Sequence, residues 1–406
     1  MPATSLLTGI KVVDMTTVLF GPYCTQTFAD LGADVVKIEP KTGDVIRLVS
    51  RPSKTPRMSP THLTLNRGKR CVDWDPKTDF GKEATLRLIE QSDVFIHNIR
   101  QSAIERLGLT FEEVRSVKKD IVYVHCLGFS PDGPYAGQPA YDDIIQSLSG
   151  MTDLLPRVDG REKKRFLPMA MADKISGLHA VYATLAALLK KNQTGEAIHT
   201  EVPMLECVTH FLLAEHFDEA TMTPPTGDFG YERQLDPTRQ PFQTRDGWVV
   251  IAPYSDDRWV RAFEVLGATD VFADERLKDF ASRRANRSLM QEKLSLYISN
   301  YSTGEILALF HKADIPAAKS NSLEDLQNDP HLAATNFFQL REHPTEGGYW
   351  EIQPPVRFNG IPRKEIRPAA HIGQDTDAVL AELGLEAGVE NTASGNVRKP
   401  PNPGSV

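Results

Sequence analysis

The sequence predicts an α/β protein built around a doubly wound parallel sheet, with a second, smaller unit following it. Three observations carry this. Between Ile10 and about Thr200, short β-branched runs alternate with longer helical patterns, which is the rhythm of parallel β-α-β units. At Thr221–Gln240, TMTPPTGDFGYERQLDPTRQ, Pro, Gly and charge replace periodic apolar residues, as they do in a linker. A chain of 406 residues with 40% hydrophobic content exceeds one ordinary compact domain and can build a sizeable core.

IKVVDM reads as the first strand, PYCTQTFADLG as the first helix and ADVVKIEP as the second strand. Val94–Ile99 and Ile121–Leu127 are further strand candidates, preceded by the helix-like EATLRLIEQ and FEEVRSVK. From Lys174, the residues Leu178, Val181, Tyr182, Leu185, Leu188 and Leu189 recur at spacings of three and four, predicting a long helix that buries this face. Gly195 in NQTGE is placed to end it. A short strand around His199–Val202 and an apolar helix from Met204 to about Glu215 follow. GWVVIAP opens the second unit, and DDRWVRAFEVLG, RSLMQEKLSLYISNY and TGEILALFHKA are its helices. The last hundred residues return to strand-like runs (YWEIQPPVRF) and one short helix, TDAVLAELG. The polar, Pro/Gly-rich tail over 391–406 is expected to be disordered.

Several function classes are disfavoured. The net charge is −8 and Lys and Arg form no long run, so the footprint of a nucleic-acid binder is missing. Cys24, Cys71, Cys126 and Cys207 lie far apart with no CxxC pair, which suggests neither a disulfide framework nor a zinc cluster and points to the reducing cytoplasm. Cys24 and Cys126 read as inert buried thiols, and His179 as a packed histidine. The start of the chain has no signal-like pattern, and no stretch approaches the roughly 20 apolar residues of a membrane helix. Neither GxGxxG after the first strand nor GxxxxGK[ST] occurs, which disfavours a plain NAD or ATP enzyme. The pair Asp142 and Asp143 lacks an evident third metal ligand.

Asp173, in LPMAMADKISGLHAVY, stands at the mouth of the long helix. It reads either as an N-cap satisfying free N–H groups or as a carboxylate nucleophile stabilised by the helix N-terminus. Position alone does not choose between them.

The segments LTGIKVVDMTTVLFGPYCTQTFADLGADVVKIEP, NRGKRCVDWDPKT, SDVFIHNIRQSAIERLGL, GFSPDGPYAGQPAYDDIIQSLSGM and ADKISGLHA occur in this order. Together they resemble the successive signatures of the class III CoA-transferase family, which includes formyl-CoA and crotonobetainyl-CoA transferases. The resemblance implies that Asp173 is the nucleophile, moving CoA between an acyl-CoA and a small carboxylic acid through aspartyl intermediates. Coenzyme A is then a substrate, and the exchange of activated bonds requires no metal, ATP or NAD. The implied CoA contacts are Val18, Leu19 and Phe20; Trp74, Asp75 and Lys77; Asn98, Ile99, Arg100 and Arg106; and Tyr141 and Asp142. Lys77, Arg100 and Arg106 carry the charge suited to CoA phosphates.

The resemblance further implies a Rossmann-like large domain from both ends of the chain (1–220 and 326–390), a small α+β domain over 225–325, and an interlocked, ring-like homodimer. Two departures bear on substrate. Leu19 stands where the oxalate-using member has Gln, and no glycine-rich run lies near Gln240, which argues against a formate/oxalate pair. Pro40, followed by Lys41, stands where the family often has a basic residue. The rival within the same motifs is an α-methylacyl-CoA racemase, which needs an acid and a base. Tyr141 stands at the place of the racemase histidine, and a tyrosine titrating near its ordinary pKa of about 10 is a poor base at neutral pH.

Overall fold

KVVDM forms strand β1 (Lys11–Met15), buried at every residue after the first. β2 (Asp34–Ile38) and β4 (Val94–His97) flank β1, both parallel to it, so that Val13 lies beside Val36 on one side and Phe95 on the other. With β3 (Arg70–Val72) outside β2, and β5 (Val122–Leu127) then β6 (Ile198–Pro203) outside β4, the order is β3-β2-β1-β4-β5-β6. Near-continuous apolar strands of this kind belong to a sheet covered on both faces. The strand order reverses between β1 and β4, and in open α/β sheets the crevice beyond the carboxyl ends at such a point is where ligands bind.

The computed structural model describes residues 5–361 and 365–386, so the tail expected to be disordered (391–406) lies outside the described residues. The described residues form two compact units: the first takes those within 1–127, 177–202 and 358–386, the second 128–176 and 203–357. Segments before residue 128 and after residue 357 therefore both contribute to the sheet unit, while 326–357, expected to return to the large domain, lies in the second. Arg70 pairs with Asp34 and Glu382, the Cys71 N–H donates to Asp375, and helix Thr376–Glu382 buries Val379 and Leu380 in the core around Val13, Val36 and Phe95. β3 was not legible as a strand, because it is three residues long and begins on a charged side chain.

The long helix spans Met171–Thr194 and is followed by Gly195 at φ +70, whose N–H donates to the Lys191 carbonyl. Its buried face shares only Leu188 with the expected one. Ala172, Ile175, Ser176, Gly177, Ala180, Thr184, Ala187 and Leu188 are buried, whereas Leu178, Tyr182 and Leu189 are 54%, 60% and 66% exposed. Small side chains let helices approach closely: a Cβ on Gly177 would come within 3.0 Å of the Phe20 carbonyl oxygen. Apolar periodicity located the helix but not the side on which it packs.

In the second unit, β7 (Phe242–Gln243), β8 (Trp248–Ile251) and β9 (Ala317–Lys319) form an antiparallel sheet. Helices Asp256–Val265, Arg287–Ile298 and Thr303–Lys312 share a core with it that includes Phe263, Leu294 and Phe310. β10 (Phe338–His343) and β11 (Gly347–Ile352) form a hairpin. The second strand stops before Pro354 and Pro355, which have no N–H to donate. Among the described residues, no helix is long and apolar enough to cross a membrane.

Candidate active site

In the sheet unit, the chain leaves β1 through Thr16–Leu19 and enters helix Phe20–Asp30. Val18 lies at φ +67, a region a β-branched residue rarely enters. Polar groups hold it there. The Asp44 carboxylate accepts the Val18 N–H at 3.1 Å, while Asn98, just past β4, accepts the Thr17 N–H and returns its amide to the Thr17 carbonyl, both at 3.0 Å. Asp44 is itself paired with buried Lys37 at 3.2 Å, and Lys37 also donates to the Thr16 carbonyl. Burial works against the charge on Lys37, but Asp14, Asp44 and Glu39 outweigh it and raise the pKa. Burial likewise opposes the Asp14 charge, yet Lys37 and Lys69 hold its pKa at about 2. Gly21 is needed where the helix begins, since a Cβ would sit 2.3 Å from that of Thr16.

The backbone after β4 is held as firmly. The His97 Nδ1 accepts the Ile99 N–H at 3.2 Å, and the His125 Nε2 lies 2.9 Å from the Ile99 carbonyl oxygen. Accepting at Nδ1 requires His97 to be neutral with its proton on Nε2, a tautomer that lets it donate to Tyr123 while Tyr123 donates to the Leu109 carbonyl, and His125 carries a proton on Nε2 to donate to the Ile99 carbonyl. Burial depresses both histidines, His125 to about 4. Val18, Leu19, Phe20, Asn98, Ile99 and Arg100 thus flank the two strand ends where the order reverses. Asn98 acts through its side chain on the Thr17 backbone. Trp74 is a core residue whose indole donates to the Thr85 hydroxyl, and Asp75 accepts the Lys77 N–H. Lys77, Arg100 and Arg106 are exposed.

In the second unit, Asp173 is the third residue of helix Met171–Thr194 and so lies inside its first turn, not at the N-cap. The N–H donor there is satisfied from outside: the Asp142 Oδ2 accepts the Asp173 backbone N–H at 3.0 Å. Gln146 fixes Asp142, donating to its Oδ1 at 2.6 Å and to the Met169 carbonyl at 3.1 Å, and accepting the Leu167 N–H at 2.9 Å. The half-buried Asp173 carboxyl has no hydrogen-bond partner among the described residues. Its pKa is pushed up to about 7, first by burial and then by the Asp142 charge, with Lys174 opposing. A carboxylate short of solvent and donors is a better nucleophile than one well solvated.

The model of "CoA-transferase family III" matches residues 7–376. The chain belongs to this family. A succinate–glutarate CoA-transferase of Agrobacterium fabrum is 29% identical over 397 residues, covering 96% of this chain and 97% of its own. Human succinyl-CoA:glutarate CoA-transferase is 26% identical (93% and 86% covered), and the formyl-CoA:oxalate CoA-transferase of an Escherichia coli O157:H7 strain is 27% identical (93% and 95%). A CAIB/BAIF family protein from Brucella suis has a similar structure, with a TM-score of 0.81 at 27% identity, covering 94% of this chain and all of its own. The protein is accordingly an enzyme that transfers CoA between an acyl-CoA and a carboxylic acid.

Within the transferase, Tyr141 is 64% exposed and its carbonyl begins helix Asp142–Leu148. Sequence reasoning missed Asp44, Gln146 and the histidine pair as positioning groups, and it read Asp142 as a CoA contact, after weighing it with Asp143 as a metal pair, but not as a helix-start acceptor. The DD of AYDDI, one residue before an apolar helical run, was the available signal for a helix-start acceptor. Nothing in the sequence announced that it would serve a different helix.

Proposed function

We propose that Asp173 carries the reaction as a covalent catalyst. Its carboxylate attacks the thioester carbonyl of the donor acyl-CoA, giving a mixed anhydride and CoA thiolate. The thiolate then attacks the aspartyl carbonyl of that anhydride, forming an aspartyl-CoA thioester and releasing the donor acid. An acceptor acid reverses both steps, so each activated bond is exchanged for another. The supporting observation is the Asp173 carboxyl itself, placed in the first turn of a 24-residue helix and lacking a hydrogen-bond partner among the described residues. The helix N-terminus favours the anion and any oxyanion formed beside it.

On this reading the pantetheine arm of CoA lies along Val18–Phe20 and Asn98–Arg100, and its phosphates meet Lys77, Arg100 and Arg106. The rigid Thr16–Val18 turn supports that assignment, because strained backbone held by surrounding bonds is a recurrent feature of ligand sites. The enzyme acts as a homodimer in a reducing compartment. Support for the latter comes from its cysteines, all present as thiols, of which Cys24, Cys71 and Cys126 are buried.

The test is to incubate the enzyme with donor acyl-CoA alone and trap the adduct with hydroxylamine or borohydride. The label is expected on the peptide containing Asp173, and both Asp173→Ala and Asp173→Asn are expected to abolish transfer while still binding CoA. Labelling elsewhere, or near-normal transfer by Asp173→Asn, would overturn the mechanism.

A further inference from the structure

The second unit contains a cleft of about 680 Å³ that the reaction so far has not used, between the segment Arg233–Phe242, the end of β8, and the helices Phe280–Ala285 and Arg287–Ile298. This volume suits a small-molecule site. Its lining is strongly cationic for a chain of net charge −8: five arginines face two aspartates, Asp236 and Asp256. Asp256 is taken by Arg283, with the two inter-residue bonds at 2.7 and 2.5 Å. Asp236 accepts from Thr238 and Ser288, which are neutral. Arg284 and Arg287 are exposed and have no carboxylate partner among the described residues. Helix Arg287–Ile298 also begins here with no side-chain cap and no acidic residue in its first turn, adding the positive end of its dipole.

The second property of the cleft is aromatic. Tyr254 and Phe280 line it while 68% and 59% exposed, and the Arg233 guanidinium lies 5.0 Å from the centre of the Tyr254 ring. Guanidinium groups with free forks match carboxylates, and exposed ring faces match a flat apolar body. A short aliphatic diacid would satisfy the arginines and leave the rings in water.

We propose that this cleft is a binding site for a carboxylic acid that carries a second anionic group and a ring. The inference goes beyond the proposed function, whose chemistry at Asp173 it does not require. Arg284 and Arg287 engage the carboxylates, while Tyr254 and Phe280 flank the ring.

The test is calorimetric binding to the full chain without CoA, using 3-phenylglutarate, glutarate, 3-phenylpropionate and ADP. We expect 3-phenylglutarate to bind tightest, and Arg284→Ala/Arg287→Ala to weaken it by about ten-fold or more, the scale of one lost charged hydrogen bond. Phe280→Ala should weaken 3-phenylglutarate and leave glutarate unchanged. Asp173→Asn should bind as the parent does, which separates this inference from the mechanism: a missing aspartyl adduct would sink the mechanism without touching acid binding. Equal affinity for glutarate and 3-phenylglutarate would overturn the proposal. So would binding indifferent to the arginine pair, or tighter ADP binding that displaces the acid, which would make the cleft a nucleotide site. If the double variant loses its near-ultraviolet circular dichroism, Phe280→Ala decides alone.

Discussion

As the proposed nucleophile, Asp173 faces two demands on one carboxyl group, since it would have to be ionised to attack and poorly solvated to be reactive. With its pKa at about 7, the attacking form is a minority below neutrality. In kcat/KM for the acyl-CoA, which reports ionisation of the free enzyme, we expect an ascending limb with its midpoint near pH 7 and a fall of about ten-fold per unit on the acid side. A profile flat from pH 5.5 to 8 would show that Asp173 is ionised well below that range. The same shift has a consequence for folding. The folded carboxyl holds its proton up to about pH 7, whereas in the unfolded chain it ionises near the ordinary value of about 3.9, so its contribution to stability falls as pH rises between the two. Asp173→Asn should therefore melt higher than the parent at pH 8 and lose that advantage near pH 4. The sequence pointed to Asp173 as a candidate through its motif, because a candidate nucleophile is a matter of residue type and position. It could not reveal the strain at Val18 or the Asp44 and Asn98 bonds that hold it, since a backbone angle held by residues 26 and 81 positions away has no local signature.

At the scale of elements, the start of the Asp173 helix depends on the start of another. Asp142 opens helix Asp142–Leu148 and its carboxylate accepts the Asp173 N–H, with Gln146, four residues on, locking the arrangement. Asp142 thus fixes the helix end and also raises the pKa of Asp173. The two effects separate in variants. Asp142→Asn keeps an oxygen acceptor and removes the charge, so the ascending limb should move to lower pH while the enzyme stays folded. Asp142→Ala should move it similarly and lose stability as well, by about 1 kcal/mol, as when a helix-start acceptor is deleted. An unmoved limb in both would show that burial alone sets the Asp173 pKa. Most elements of the sheet unit were legible because buried parallel strands write continuous β-branched runs. The helix face was not: Leu178, Tyr182 and Leu189 have the same spacing whether they face a core or solvent, and the closeness permitted by Gly177 and Ala180 decided the matter.

For the molecule as a whole, that reversed face is the main unbalanced feature. Leu178, Tyr182 and Leu189 are more than half exposed along one stripe of a single helix, with Leu185 partly buried between them, and Phe211, on helix Met204–His216, is 54% exposed. Isolated exposed apolar residues are ordinary, but a helical stripe of large ones marks a surface meant to be covered. In the proposed homodimer a second copy covers it, and lasting assembly of that kind requires a contact of at least about 1,000 Å², of which the stripe would be the apolar part. Leu178→Glu/Tyr182→Glu places two charges on this surface without altering a buried residue. In light scattering coupled to gel filtration, the parent should therefore run at twice the 45.2 kDa chain mass and the variant as a monomer that keeps its far-ultraviolet circular dichroism. A parent that is monomeric at micromolar concentration would rule out the dimer. A variant that remains dimeric would show that the stripe lies outside the contact.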